Sequence, residues 1–203
     1  GSGWGTLIIT AAQEYGLETY GITLSEEQYA FTNQRIQELG LQDKVHVMLR
    51  DYRDVDMTFD YITSVGMFEH VGKENLGEYF KDVANYLVPN GRALIHGITG
   101  QHYGAGVDPF IQKYIFPGGY IPNIAENVTH IMEAGMQLDD IEPLRRHYQK
   151  TLETWTENYH AVYDKTVAER GEAFARAWDL YLQGSAASFE SGNIDVIQFL
   201  MTK

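Results

Sequence analysis

The sequence predicts a doubly wound α/β fold, a mostly parallel sheet with helices on both faces. Three observations carry that expectation. Short apolar, β-branched runs alternate with stretches of helical periodicity along the first half of the chain. A glycine or a turn signal closes the helical stretches, as at Gly16, Gly40 and Pro89-Asn90-Gly91. The polar residues capable of chemistry gather just after strand-like runs, at the edge where open α/β sheets bind ligands.

Each element can be read in order. Gly1-Ser2-Gly3-Trp4-Gly5 is a glycine loop of the kind that follows a strand. No strand precedes it, so the first, central strand and an N-terminal region are expected to be missing from this chain. Leu7, Ile8, Ala11, Ala12 and Tyr15 give a helix that stops at Gly16. Thr19–Thr23 is a short strand, and Ser25 with Gln28 forms a capping box for a helix reaching Leu39. Val45–Leu49 and Phe59–Val65 are strands, and Lys73–Leu87 carries Leu76, Phe80, Val83, Ala84 and Leu87 at helical spacing. Arg92–Ile98 is the next strand.

The rhythm then breaks. Gln101–Asn123 is a long segment rich in Gly, Tyr, Phe and Pro, and loops of that length are usually functional. Helix resumes over Ile124–Gly135, and Leu138–Leu144 reads as a strand with Arg145-Arg146-His147-Tyr148 at its end. Two helices, about 151–170 and 172–190, precede a closing strand at Ile194–Met201. Their aromatics, Phe174 and Trp178 among them, are expected in the core.

The totals set bounds on function. The chain has 203 residues, 44% hydrophobic and 13% aromatic, enough for one globular domain. No apolar run approaches the ~20 residues of a membrane span. Cysteine is absent, which removes disulfides and thiolate metal sites and fits a cytoplasmic protein. A net charge of −13 argues against nucleic acid as a partner and against attachment to anionic lipid by charge alone.

The chemistry centres on Ser64-Val65-Gly66-Met67-Phe68-Glu69-His70-Val71-Gly72, which follows the Phe59–Val65 strand. It puts a carboxylate and an imidazole at the carboxyl end of a strand. Taken alone, it reads as a loop with two solvated polar residues. Dinucleotide sites carry an acid at the end of the second strand. Here Thr23, Leu24 and Gln28 stand instead, which counts against NAD and leaves room for another nucleoside-bearing cofactor.

Four of these stretches recur together: the glycine loop, Gly21–Gln28, Asp51-Tyr52-Arg53-Asp54 and Ser64–Gly72. A fifth, Asp108–Gly119 with Tyr114-Ile115-Phe116-Pro117-Gly118-Gly119, completes a pattern that resembles the cyclopropane-fatty-acyl-phospholipid synthases. The likeness covers essentially the whole chain. It implies a Rossmann-like, S-adenosylmethionine-dependent catalytic domain over residues 1–203, with 101–123 and 145–190 covering the substrate side. It also implies peripheral contact with membrane phospholipid carrying unsaturated acyl chains, on the cytoplasmic side, and allows a homodimer.

Site residues follow from the same resemblance. Gly1 and Gly3 would lie against the methionine part of the cofactor, Thr23, Leu24 and Gln28 at its ribose, and Asp51 and Tyr52 at its adenine. Glu69, His96 and Tyr148 would hold a bicarbonate ion, with Ile98 supplying backbone. Tyr114, Phe116 and Tyr120, with Tyr103 and Phe110, would line an acyl tunnel. The family often has cysteine where this chain has Ser2 and Ser185. No metal is implied.

Each role has a plainer structural counterpart. Glu69 could cap the following helix, His96 could be a core histidine, and Tyr148 a surface tyrosine. His70 reads as structural, and Arg145-Arg146 as a solvated basic face as readily as a phosphate contact. The function expected is methylene transfer to the cis double bond of a phospholipid acyl chain, with bicarbonate as base. Methyl transfer without ring closure, or to a small amine, is the first alternative. A non-catalytic lipid- or nucleotide-binding module is the second.

Overall fold

The computed structural model describes residues 1–104 and 106–203. The chain falls into two compact units, Gly1–Phe59 and Asp60–Lys203.

In the first unit, helix α1 (Thr6–Tyr15) is followed by strand β1 (Thr19–Thr23), helix α2 (Glu26–Glu38) and strand β2 (Val45–Leu49). The two strands pair in parallel, Thr19 opposite Val45 through Thr23 opposite Leu49. Ile8, Ile9 and Ala12 of α1 bury against Ile36 of α2 and Val45 and Val47 of β2. Gly16 ends α1 in the left-handed region, with φ 68°, where a side chain would be strained. Ser25 Oγ accepts the Gln28 amide, as the capping box requires. The returning half of the box differs: the Ser25 amide bonds Thr23 Oγ1, and that hydroxyl donates to Gln28 Oε1 at 2.6 Å. Thr23 thus stands between the two partners.

The second unit is built on a four-stranded sheet in the order β3-β4-β6-β5. Its strands are β3 (Phe59–Val65, starting at the unit boundary), β4 (Leu87–Gly100), β5 (Gln137–Pro143) and β6 (Ile194–Thr202). β6 runs antiparallel to both β4 and β5, so those two share one direction and β6 is the reversed strand between them. The strands thus form two hydrogen-bonded sheets, as the expected absence of a central strand from this chain implies. The second-unit members include this one reversal.

Helices cover both faces of that sheet. Val196 of β6 packs into a cluster with Leu152, Tyr159, Leu182 and Phe189 from α6 (Arg145–His160) and α8 (Glu172–Ser191). Its neighbour Ile197 points the other way and is equally buried. Helices α3 (Leu76–Asn85) and α5 (Ile124–Glu133) pack on each other, α3 also on β4 and α5 on β5.

Three boundaries depart from the sequence reading. Pro89-Asn90-Gly91 belongs to β4, because the Asn90 amide and Gly91 carbonyl pair with the backbone of Lys203. Arg145–Tyr148 opens helix α6 instead of ending a strand; the Tyr148 amide bonds the Leu144 carbonyl. The two long terminal helices are three, since Ala161-Val162 interrupts the first before α7 (Tyr163–Arg170). The Gln101–Asn123 segment holds one short helix, α4 (Pro109–Tyr114), capped by Asp108 Oδ1 on the Phe110 amide at 2.8 Å. Ala105 within it lies outside the described residues.

Candidate active site

The residues expected to meet a cofactor all lie in the first unit. Ser2 is fixed by its amide and its hydroxyl, both donating to the Ile22 carbonyl, at 2.7 and 3.1 Å. That bond ties the glycine loop to β1. Gly21 makes the close approach possible, because a Cβ there would meet Ser2 Cβ at 2.7 Å and Ile8 Cδ1 at 2.8 Å. Gly1 and Gly3, by contrast, face open space, with no atom within 4 Å of where a side chain would begin. A side chain is thus absent where a ligand would approach Gly3. Thr23 is buried in its relay with Gln28, while Leu24 is exposed at 73%. Asp51 accepts Arg53 Nε and Nη2 at 2.9 Å each, and that pairing holds its carboxyl below the usual range. It also caps the turn Tyr52–Asp54.

The catalytic candidates all lie in the second unit, and Glu69 is their centre. After Val65 strand β3 leaves the sheet, and the Gly66 amide makes its last bond, to the His96 carbonyl at 2.8 Å. The next outward-facing donor on β4 is the amide of Ile98. Glu69 Oε1 takes it at 2.6 Å. The carboxylate thus replaces a strand as the partner of β4.

Glycine at position 97 allows this, since a Cβ would lie 2.5 Å from the Phe68 ring and 3.0 Å from Glu69 Oε1. Glu69 is only 8% exposed, and its second oxygen, Oε2, is buried with no hydrogen-bond partner. Burial raises its pKa, an effect opposed by the Ile98 bond and by His70. The helix-capping role is not what this side chain does. Its backbone carbonyl accepts the Tyr120 amide at 2.9 Å, which pins the aromatic segment to the turn.

Two further candidates lie in the same unit. His96 precedes Ile98 by two residues on the same face of β4, half-buried, and desolvation lowers its pKa, so its ring is neutral. Tyr148 packs beside Phe189 at 5.0 Å and Trp155 at 6.3 Å. Burial raises its phenol pKa, and the charge of Glu69 raises it further, which places the two in one electrostatic environment. Ile98, Tyr148 and Tyr181 pack against one apolar cluster.

The expected tunnel residues are not gathered in one place. Tyr103 and Tyr114 are exposed at 84% and 59%, Tyr114 lying under the Lys113 ammonium. Tyr120 donates to Glu126 at 2.7 and 2.9 Å, which contributes, after burial, to lifting its pKa to about 12. Phe110 contacts Tyr114. Phe116 alone of the five turns to the centre, 5.6 Å from the His70 ring and 5.9 Å from Tyr181. Sequence reasoning missed Tyr181 and Gly97. The signal for Tyr181 was its place on one helical face with Phe174 and Trp178. For Gly97 it was a glycine inside an otherwise apolar strand.

Comparison with known proteins bears on this arrangement. The family model described as mycolic acid cyclopropane synthetase matches residues 1–199. A probable fatty acid methyltransferase of Pseudomonas putida is 43% identical over the whole chain, which covers 53% of it. The cyclopropane-fatty-acyl-phospholipid synthase of Escherichia coli K12 is 34% identical, with 52% of it covered. The chain thus spans about half the length of these curated relatives. Among solved structures, mycolic acid cyclopropane synthase CmaA1 in complex with SAH and CTAB superposes with a TM-score of 0.92 at 30% identity, covering all of this chain and 76% of that one.

Proposed function

The chain belongs to the mycolic acid cyclopropane synthetase family and has its S-adenosylmethionine-dependent methyltransferase fold, and on that premise we propose that it transfers a methylene group to the cis double bond of unsaturated phospholipid acyl chains. The observation that carries this reading is the buried Glu69, one oxygen committed to Ile98 and the other open.

S-adenosylmethionine would supply an electrophilic methyl group. The glycine loop at Gly1 and Gly3 suits its amino-acid portion, Thr23, Leu24 and Gln28 its ribose, and Asp51 and Tyr52 its adenine. In methyl transfer a carbon–carbon bond forms to the alkene while the sulfur–carbon bond breaks, and S-adenosylhomocysteine leaves. The lipid then carries positive charge, which the π-faces of Phe116, Tyr148 and Tyr181 can stabilise in a site kept dry by the packed helices. Ring closure requires loss of a proton from the new methyl.

Bicarbonate, bound here, would supply the base. The residues fit it: Glu69 Oε2 can only accept, matching the ion's O–H, while neutral His96 and the protonated Tyr148 can donate to its oxygens. The reading carries with it a cytoplasmic protein touching the membrane surface peripherally, with a homodimer allowed.

A second reading stops at methyl transfer. It is favoured by the likeness to a probable fatty acid methyltransferase. Vesicles of unsaturated phospholipid, a trideuteromethyl donor, and assays with and without bicarbonate decide between them. Ring protons in the NMR spectrum, one deuterium lost per turnover and a rate that falls without bicarbonate are expected. Label retained as three deuteria on a branched olefin, the proton being lost from a neighbouring chain carbon, would establish the simple methyltransferase. No label in lipid, with cofactor bound, would send the assignment to small acceptors.

A further inference from the structure

The tie between Tyr120 and Glu126 belongs to none of the roles above, yet it closes a circuit of hydrogen bonds that begins and ends on β4. At the end of that strand the Gly100 amide donates to the Pro122 carbonyl at 2.9 Å, and Gly100 bridges Asn123. Asn123 Oδ1 accepts the Glu126 amide at 2.9 Å, which caps α5 and sets Glu126 in its first turn. The Glu126 carboxylate accepts the Tyr120 hydroxyl through both oxygens, at 2.7 and 2.9 Å. The Tyr120 amide donates to the Glu69 carbonyl at 2.9 Å, and Glu69 Oε1 returns to β4 at the Ile98 amide.

The turn carrying Glu69 has left the sheet, so strand pairing no longer fixes it. Its carboxylate must still keep one oxygen on Ile98 and the other clear. Such a site tolerates little drift, because a misplacement of about 1 Å can cost about 10²-fold in rate. Tyr120 holds the turn by its backbone, and Glu126 holds Tyr120 by its side chain. The same stretch carries Phe116: the Gly119 amide bonds the Phe116 carbonyl at 3.1 Å, and the Phe116 ring meets His70 at 5.6 Å. Lys73 Nζ lies over the Tyr120 ring at 5.8 Å and confines it further. The hydroxyl keeps its proton for the bond, because burial and Glu126 both raise its pKa.

We propose that Glu126 is a positioning residue: through Tyr120 it holds the Glu69 turn against β4, so that α5 sets where the catalytic carboxylate stands. The inference rests on the olefin-alkylating reading, in which Glu69 orients the base, and adds what orients Glu69.

Kinetics and amide hydrogen exchange test it together. Glu126→Ala and Tyr120→Phe should each lower kcat about tenfold, with lipid KM and S-adenosylhomocysteine affinity within about twofold of wild type. Combined, they should cost no more than either alone, because both break the same bond. Glu126→Gln keeps an oxygen that accepts the Tyr120 hydroxyl and should restore most of kcat. Glu133→Ala, at the far end of α5, should leave kcat unchanged. In both single variants the Tyr120 and Ile98 amides should exchange about fivefold faster, while those of β5 hold. Multiplicative losses in the double variant, or unchanged exchange at Tyr120 and Ile98, would overturn the positioning role. Faster exchange with kcat unchanged would overturn it too, leaving Glu126 a stabilising residue only. A wild type inactive on every lipid would sink the functional reading instead, with exchange at the two amides still establishing the tie.

Discussion

Glu69 carries an energetic conflict that can be measured. Burial holds its pKa above the ordinary carboxyl value of about 4.3, so the native state binds that proton more tightly than the unfolded chain does. Its stabilising contribution is full below that ordinary value and is lost as pH rises through the raised one. Glu69→Gln keeps an acceptor for the Ile98 amide and removes the charge. It should therefore abolish ring formation yet raise Tm at pH 8 by about 2 to 4 °C, with the difference shrinking towards pH 5. Thermal scans at the two pH values check this; a variant less stable at pH 8 would contradict it. Tyr148 stays protonated because burial and the Glu69 charge both oppose its ionisation. Tyr148→Phe should lower kcat by about 10²-fold with lipid KM unchanged, read by steady-state kinetics. Neither residue's placement was legible from local sequence. Glu69 reads as a loop acid until the strand opposite supplies Ile98, and Tyr148 lies 79 positions away on a helix that sequence assigned to a strand end.

At the scale of elements, periodicity located most of the strands and helices because each stretch buries one face. α1, β1, α2, β2 and β3 fall where their apolar spacing and caps put them. Errors came where partners distant in sequence decide. The turn signal Pro89-Asn90-Gly91 is drawn into β4 by Lys203, and no local pattern records that pairing. The aromatics of α8 look like core by spacing alone, yet Phe174 and Trp178 are exposed; periodicity says which face is apolar and not what covers it. A close contact between elements is Gly97 against the Phe68 ring, which is 1% exposed. Gly97→Ala should destabilise the protein by about 1–3 kcal/mol in denaturant titrations and displace the Glu69 turn, lowering kcat as well. Loss of stability without loss of kcat would mean that the turn tolerates the shift.

The molecule as a whole carries −13 charges, and no helix among the described residues is long and apolar enough to cross a membrane. On the proposed lipid reading, this charge opposes approach to an anionic bilayer, and the attraction would come from apolar contact. Turnover on vesicles rich in anionic phospholipid should be slower than on zwitterionic ones, and raising salt from 0.05 to about 0.3 M should narrow the gap as the Debye length falls. A rate on anionic vesicles that drops with salt would point instead to a local basic docking patch. Composition made this scale the most legible of the three, because net charge needs no fold.

The bond between Glu69 and Ile98 has one more use. A carboxylate that serves as a rung of the sheet writes its protonation state onto the amide it holds, since the proton of a hydrogen-bonded N–H shifts with the charge of its acceptor. In an 15N-labelled sample the Ile98 cross-peak becomes a built-in electrode for the catalytic centre. It should titrate with the raised pKa of Glu69, fall silent in Glu69→Gln, and move when bicarbonate is added at constant pH. The state of the site could then be followed without substrate, cofactor turnover or an added probe.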